Sequence, residues 1–171
     1  MTGDEGSATP SVLNTTVLSN FAYIDELWLL EGLADICTVP VVRDELRDGV
    51  EGHSYLRSAL DIIDDEIPVV AVSESAANRE TVLADRLDPG EAQALAVADA
   101  RDGRLLTDDG DARSVANAEG VAVVGSVGVL LAAIDAGKIT DATADEWLAT
   151  WIDDIGYYVP YRMISAYRQD R

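Results

Sequence analysis

Six residues with oxygen-bearing side chains stand at the ends of apolar segments, or on the helices beside them: Asn14, Glu45, Glu91, Asp108, Asp109 and Asp111. In α/β sheets, ligands bind outside the carboxyl ends of the strands, so these residues are candidates for one shared site. Mg²⁺ and similar cations take carboxylate and carbonyl oxygens, usually together with waters and a substrate phosphate. A cation held in this way can activate water against a phosphodiester, so hydrolysis of that bond is the chemistry indicated.

Each of these acids also has a structural interpretation, and the sequence leaves both open. Residues 88–91, Asp-Pro-Gly-Glu, have the pattern of a helix start in which Glu91 completes a capping box. Asp109 and Asp111 suit the cap of the helix that follows them. Glu45 suits an exposed position on a helix. Because acids are so frequent in this chain, the hypothesis depends on whether these residues converge in the folded protein.

Histidine and cysteine offer no competing site. His53, the only histidine, lies in a polar stretch and is expected in an exposed loop. Cys37, the only cysteine, is expected to be a buried strand residue, which excludes an internal disulfide and favours a cytoplasmic location. The first ten residues are polar and acidic, and no apolar run approaches the ~20 residues that cross a membrane. We therefore expect no signal peptide and no membrane partner.

The elements that must position the candidate residues alternate between strand and helix. Apolar runs predict strands at residues 11–13, around 37, 68–72, 104–107 and 121–124. Helical spacing of apolar residues predicts helices at 15–32, 41–47, 57–63, 74–86, 89–100, 112–118 and 127–136. This alternation is typical of an α/β fold in which a central, mostly parallel sheet is flanked by helices.

The charge of the chain is unusual, with 32 acidic against 12 basic residues and a net charge of -20. Lys138 is the only lysine. Acids spread over the whole chain with almost no lysine indicate a protein adapted to concentrated salt, although an ordinary acidic protein is the alternative. Such a charge opposes binding to nucleic acid, because affinity comes largely from neutralising phosphates. High salt weakens that objection without removing it.

We expect the melting temperature to be clearly lower in about 0.1 M KCl than in about 2 M KCl. The Debye length is ~10 Å at the lower concentration and under ~3 Å at the higher one, so repulsion among the acids is screened only at high salt. Thermal unfolding followed by circular dichroism measures the difference. Equal melting temperatures in the two buffers would contradict the interpretation of the acidic surface as a salt adaptation.

Four segments, in order, resemble the motifs of the PIN-domain family, in its VapC-like ribonuclease branch. They are Leu13–Phe21, Val41–Leu46, Leu87–Ala92 and Leu105–Asp111, and the continuation over residues 120–131 is also similar. The resemblance covers residues 11–139 and implies a PIN-like three-layer fold. With its acidic composition, the chain resembles a haloarchaeal member of that family.

The resemblance implies a metal-dependent ribonuclease that uses Mg²⁺ or Mn²⁺ to hydrolyse RNA phosphodiesters. For a toxin of a toxin–antitoxin pair, it also implies a small antitoxin-like protein as partner. The family's acidic ligands fall on Glu45, Glu91, Asp109 and Asp111, with Asp108 an alternative to Asp109. Asn14 stands where the family has its first Asp. An amide offers a carbonyl oxygen but neither charge nor a base. A nuclease-inactive module that binds RNA or a protein is therefore the alternative function.

Three further residues are candidates for contact with RNA: Thr16, Asn20 and Arg113. Helix capping or packing is the structural alternative for Thr16 and Asn20. Arg113 suits either a phosphate, through its forked donors, or an ion pair with a surface acid.

The predicted organisation is a flexible leader at residues 1–10, a PIN-like domain at 11–139 and a C-terminal helical extension at 140–171 packed on the same domain. Apolar side chains from Trp147 to Ile155 repeat at helical spacing, and tyrosines follow them. Such a stripe packs against the domain's own core or forms a homodimer interface, and both remain open.

Overall fold

The computed structural model describes residues 9–169. Residues 1–8, which hold most of the predicted leader, and residues 170–171 lie outside that range. The chain divides into two compact units, one ending at Gly125 and the other beginning at Ser126. The predicted boundary at 139/140 stays a prediction. Within the described range, no helix combines the length and apolar character needed to span a membrane.

A parallel four-stranded sheet in the order β2-β1-β3-β4 is the centre of the first unit. Its strands are β1 Ser11–Leu13, β2 Ile36–Cys37, β3 Arg104–Leu106 and β4 Ala122–Val124. In the register of the sheet, Val12 pairs with Cys37 on one side and with Leu105 on the other, and all three are buried. Helices flank this sheet, so the predicted α/β class with a central parallel sheet is confirmed.

Seven helices belong to the described part of the first unit: α1 Thr15–Tyr23, α2 Trp28–Glu31, α3 Pro40–Gly49, α4 Leu56–Asp65, α5 Glu74–Leu83, α6 Pro89–Ala100 and α7 Gly110–Ala118. The central helix is α6, whose residues from Gly90 to Ala98 are all buried. It packs against β1, β3, α3 and α5. Its alanine-rich sequence permits this, since small side chains allow close approach on every side.

The single helix predicted over residues 15–32 is wrong, because the chain forms α1 and α2 with a break between them. Asp25 has a φ of 59°. The Asp25 N–H donates to the Ala22 carbonyl at 3.1 Å, and the Glu26 N–H to the Phe21 carbonyl at 2.9 Å. This is a Schellman ending with Asp in the place that glycine usually takes. The helical spacing of apolar residues continues across the break, so it does not indicate where α1 ends.

The buried strand predicted at residues 68–72 is also wrong. In the described part of the chain this segment forms only one bridge, between Val69 and Thr38, beyond the outer edge of β2. The side chain of Val69 is 37% exposed. Strand β2 has only two residues, so it offers the neighbouring segment few backbone groups for hydrogen bonding. An apolar run that was expected in the core therefore lies at the edge of the sheet.

The second unit contains α8 Ser126–Asp135, α9 Asp141–Ile155 and α10 Ile164–Gln169. Thr140 caps α9 by accepting the Thr143 N–H at 3.1 Å, and Gly156, with a φ of 69°, ends it. Helix α10 is bound to α9 by the Ile164 N–H, which donates to Asp145 at 2.7 Å. From the predicted apolar stripe, Leu148 and Trp151 are buried. Tyr158 is 93% exposed.

Candidate functional site

The carboxyl ends of β1 and β3 bring Asn14 and Thr107 side by side. The backbone N–H of Asn14 donates to the Leu106 carbonyl at 2.9 Å, which continues the sheet by one residue. The Asn14 side chain then donates through Nδ2 to the Thr107 hydroxyl at 2.9 Å. Both residues are buried. The side-chain amide at position 14 is therefore fixed in orientation by the end of the neighbouring strand.

The other side-chain atom of this amide, Asn14 Oδ1, is buried and accepts no hydrogen bond within residues 9–169. An unpaired buried acceptor costs about 1–3 kcal/mol, so proteins rarely leave one without a reason. A carbonyl oxygen in this state is suited to a cation or an ordered water. Its position at the carboxyl end of β1 is where the sequence predicts the site.

Two threonine hydroxyls organise the turn that follows β3. Thr107 Oγ1 lies 3.3 Å from Thr16 Oγ1 and also accepts the Asp109 N–H at 3.2 Å. Thr16 Oγ1 accepts the Asp108 N–H at 2.9 Å. The hydroxyl of Thr16 therefore holds the backbone that carries two of the candidate acids, and its contact with RNA stays a prediction.

Asp108 is directed toward α1 rather than toward the other acids. Its Oδ2 accepts a hydrogen bond from Asn20 Nδ2 at 2.9 Å, and Asn20 is buried. Arg113 donates through Nη1 to the Thr107 carbonyl at 3.2 Å. A Cβ on Gly125 would lie 2.8 Å from both Arg113 Nη1 and Asp108 Oδ1, so a larger residue would displace at least one of these side-chain ends. In this arrangement Arg113 and Asn20 support the turn at residues 107–109.

Glu91 and Asp109 both have the capping roles considered above, and they also meet each other. Glu91 accepts the Asp88 N–H at 3.1 Å in a capping box at the start of α6. Asp109 caps α7 by accepting the Ala112 N–H at 2.9 Å. The two carboxyl groups are close enough that Asp109 contributes to raising the pKa of Glu91. Capping and membership of a site are thus compatible, because each carboxyl group has oxygen lone pairs to spare.

Burial raises the pKa of Glu91 from an ordinary value of 4.5 to about 7. The N–H of Asp88 opposes this rise, whereas the hydrogen bond to Asp109 and the charges of Asp109 and Asp88 add to it. Only 8% of Glu91 is exposed. A cation bound beside Glu91 would oppose this rise, because an opposite charge favours the charged form of a carboxyl group.

Glu45 lies beside the N-terminus of α6 instead of on an exposed helix face. Its Oε1 accepts the Thr15 hydroxyl at 2.6 Å, and its Oε2 accepts the Gly90 N–H at 3.1 Å. A Cβ on Gly90 would lie 2.3 Å from Glu45 Oε1, so glycine at this position lets the carboxylate reach the helix. The positive end of the helix favours a negative charge there. Glu45 is therefore attached to the residue that precedes Glu91.

The convergence of the candidates is incomplete. Asp111 is exposed in the first turn of α7 and lies outside the hydrogen-bonded set. Among residues 9–169, no three Asp, Glu, His or Cys side chains are close enough to bind one metal ion together. The oxygen donors that are present, two contacting carboxyl groups and an unpaired amide oxygen, are nevertheless of the type that Mg²⁺ and Mn²⁺ take, with water completing the coordination. The residues fit such a cation by their chemistry.

Without divalent cations, we expect Glu91→Gln to gain stability relative to the parent protein as the pH rises from 5 to 8. Below pH 4.5 both folded and unfolded chains keep the Glu91 proton. Between 4.5 and about 7 the folded chain alone keeps it, so the free energy of unfolding falls as the pH rises. The parent protein is expected to lose about 1–3 kcal/mol in its free energy of unfolding over this pH range. Glu91→Gln should not show this loss, because glutamine does not titrate. Urea unfolding of both proteins in EDTA measures the difference; parallel pH profiles would contradict the prediction.

Four residues of this site were not among the predicted site residues: Thr15, Gly90, Thr107 and Gly125. In the sequence, Thr15 fits a helix cap and Thr107 fits the end of a strand. Their hydroxyl contacts join residues that are 30 and 93 positions apart, so the sequence alone does not indicate them. The glycines read as a helix start and a strand end. Their close approach to charged side chains, which a Cβ would displace, is visible only in the structure.

Comparisons with known proteins agree with this fold. A family model described as PIN domain matches residues 10–170. A chain in the crystal structure of VapBC2 from Rickettsia felis, bound to a DNA fragment from their promoter, has a similar fold, with a TM-score of 0.51 and 18% identity. The similarity covers 67% of this chain and 97% of that one. No curated protein sequence gave a significant match.

Proposed function

Because this chain belongs to the PIN-domain family, we propose that it is a metal-dependent ribonuclease that hydrolyses RNA phosphodiesters with Mg²⁺ or Mn²⁺. The observation that carries the proposal is the buried carboxyl group of Glu91, whose pKa is raised by burial and by the neighbouring Asp109 at the carboxyl edge of the sheet. A buried acid with a raised pKa beside a second acid is a costly arrangement, and such groups cluster at functional sites.

Each residue of the site has a separate task in this proposal. Glu91 and Asp109 would hold the cation, and Asn14 Oδ1 would add a neutral oxygen. Glu45, which lies on α3 beside the start of α6, and Asp111, in the first turn of α7, would be further ligands. A bound cation supplies a more acidic water and stabilises charge on phosphorus. Thr16, Asn20 and Arg113 keep the turn that carries Asp108 and Asp109 in place.

A cleavage assay on a fluorescent unstructured RNA in concentrated KCl tests the proposal. We expect cleavage that requires Mn²⁺ or Mg²⁺ and that falls about 100-fold or more in Glu91→Gln, since a metal ligand and its charge are lost. The matched control is Glu146→Gln, the same change on an exposed face of α9, which should cleave like the parent. Equal cleavage by the Glu91 and Glu146 variants would exclude Glu91 from the reaction.

An inactive module that binds RNA or a protein is the second candidate function. The incomplete convergence of the acids and the neutral side chain of Asn14 favour it. An absence of cleavage with either cation, combined with RNA binding that does not depend on the cation, would select this function over the first.

The proposed partners follow from the same fold. The similar chain comes from a VapBC2 complex bound to promoter DNA, so a small antitoxin-like protein is the partner we propose beside RNA. A homodimer is proposed from exposed apolar side chains of the second unit, Ile155, Tyr158 and Met163. We propose cytoplasm of high salt content as the location. Light scattering in concentrated KCl tests the dimer, and a monomer at micromolar concentration would contradict it.

A further inference from the structure

The segment from Pro68 to Val72 is an open edge of the sheet. It is joined to Thr38 by two hydrogen bonds, from the Thr38 N–H to the Pro68 carbonyl at 2.9 Å and from the Val70 N–H to the Thr38 carbonyl at 3.0 Å. In a parallel bridge of this kind, the N–H and C=O of the residue between them point to the opposite side. That residue is Val69. Within residues 9–169, the backbones of Val69 and Ala71 take part in no hydrogen bond.

This edge is protected from pairing only by its short bridge and by Pro68, which precedes the exposed backbone of Val69. Many native edges also carry lysine, a bulge or a covering helix. Here the sequence is Pro-Val-Val-Ala-Val, which has high strand propensity, and Val69 is 37% exposed. Beside Val69 lies a groove of about 350 Å³, lined by Pro40, Arg43, Asp44, Ile63, Asp64 and Val69. An extended chain paired with Val69 would have an adjacent space for its side chains.

The surroundings of the edge are acidic. Residues 58–78 contain no lysine or arginine, and their five acids, all exposed, are Asp61, Asp64, Asp65, Glu66 and Glu74. From α3, Arg43 binds Asp64 at 2.7 Å and Arg47 binds Asp44 at 3.1 Å, so these cations are already paired. The field at the edge favours a basic partner. A second copy of this chain would bring the same acids together, so it is disfavoured.

We propose that this edge binds an extended, basic segment of another protein as an added strand, with apolar side chains on one face and lysine or arginine on the other. Main-chain hydrogen bonds to Val69 and Ala71 give the affinity, and the groove and the acids select the side chains. This surface lies on the far side of β2 from β3 and is independent of the proposed cleavage chemistry.

The probe is a labelled peptide of about seven residues that alternates lysine and valine, titrated by fluorescence anisotropy in about 0.5 M KCl. We expect binding to weaken about ten-fold or more in Val69→Lys, which adds a like charge at the edge. The matched control is Val82→Lys on α5, where the parent side chain is 60% exposed. It carries the same change in net charge and should weaken binding by less than about two-fold. Both substituted positions are exposed, and thermal melts confirm folding.

Two further measurements distinguish strand addition from simple charge attraction. The same peptide with alternate N-methylated amides keeps its charge but cannot pair, and it should bind about ten-fold more weakly. Bound peptide should also slow hydrogen exchange at the Val69 amide. Equal binding of the N-methylated peptide, equal losses in the two lysine variants, or no binding at all would overturn the proposal. A peptide-free dimer that Val69→Lys converts to monomer would overturn it in favour of a second copy.

Discussion

Replacing Asn14 by Asp is expected to destabilise the protein without divalent cations and to stabilise it with them. The Oδ1 atom at position 14 is buried and unpaired within residues 9–169, so a carboxylate there adds a buried charge beside Thr107, whose hydroxyl also contacts the backbone of Asp109. An uncompensated buried charge costs about 2–4 kcal/mol. When Mn²⁺ binds, the added charge becomes a ligand, and we expect Mn²⁺ to bind about ten-fold or more tightly than to the parent.

Calorimetric Mn²⁺ titration and urea unfolding, each in concentrated KCl with and without the cation, measure these opposite effects. Asn117→Asp is the matched control, because Asn117 is exposed on α7 and the change in charge is identical. RNA cleavage should rise with Mn²⁺ affinity. Should Asn14→Asp lose stability equally with and without Mn²⁺, the amide oxygen would be no part of a cation site.

Replacing Gly90 by Ala is expected to displace the Glu45 carboxylate from the N-terminus of α6. The new Cβ would lie 2.3 Å from Glu45 Oε1, so the carboxylate must move and lose the bond from the Gly90 N–H. We expect a loss of about 1–3 kcal/mol in the free energy of unfolding, since the helix end and the carboxylate both lose a charge-assisted partner. Metal-dependent cleavage should fall about ten-fold or more, because Glu45 is a proposed ligand.

The matched control for this second change is Gly110→Ala. Gly110 begins α7, and nothing lies within 4 Å of where its Cβ would be. Alanine there should be neutral or should stabilise the helix by up to about 1 kcal/mol. Thermal and urea unfolding of both variants give the comparison. Equal stability of the two alanine variants would show that Glu45 adapts without cost.

The fold was predictable because its signals are local. Strands β1, β3 and β4 are short apolar runs between polar residues, and α6 begins at a capping box that the sequence displays. The two wrong elements failed for related reasons. Apolar spacing continued through the left-handed Asp25, and the run at residues 68–72 has strand propensity without a long enough neighbour. Propensity describes what a segment can form, whereas pairing depends on the rest of the chain.

For the candidate site, the sequence indicates which residues follow the strands but not the contacts that they make. Asn14 and Asp109 follow β1 and β3, whereas the hydroxyl network from Thr107 and Thr16 depends on segments distant in sequence. The capping interpretations of Glu91 and Asp109 were both observed, and neither prevents the two carboxyl groups from meeting. The orientation of Asp108 toward Asn20 could not be predicted, because residues 108, 109 and 111 are equivalent in type.

The hydroxyl of Thr107 has an evolutionary consequence for position 14. A hydroxyl both donates and accepts, so it accepts from the amide of Asn14 and, after rotating its hydrogen, would donate to a carboxylate. The hydrogen bond between the hydroxyls of Thr16 and Thr107 can reverse its direction in the same way, because either hydroxyl can be the donor. The heavy atoms of the turn need not move when Asn and Asp are exchanged. Lineages can therefore lose or regain the charge at this position in one step, without rebuilding the fold around it.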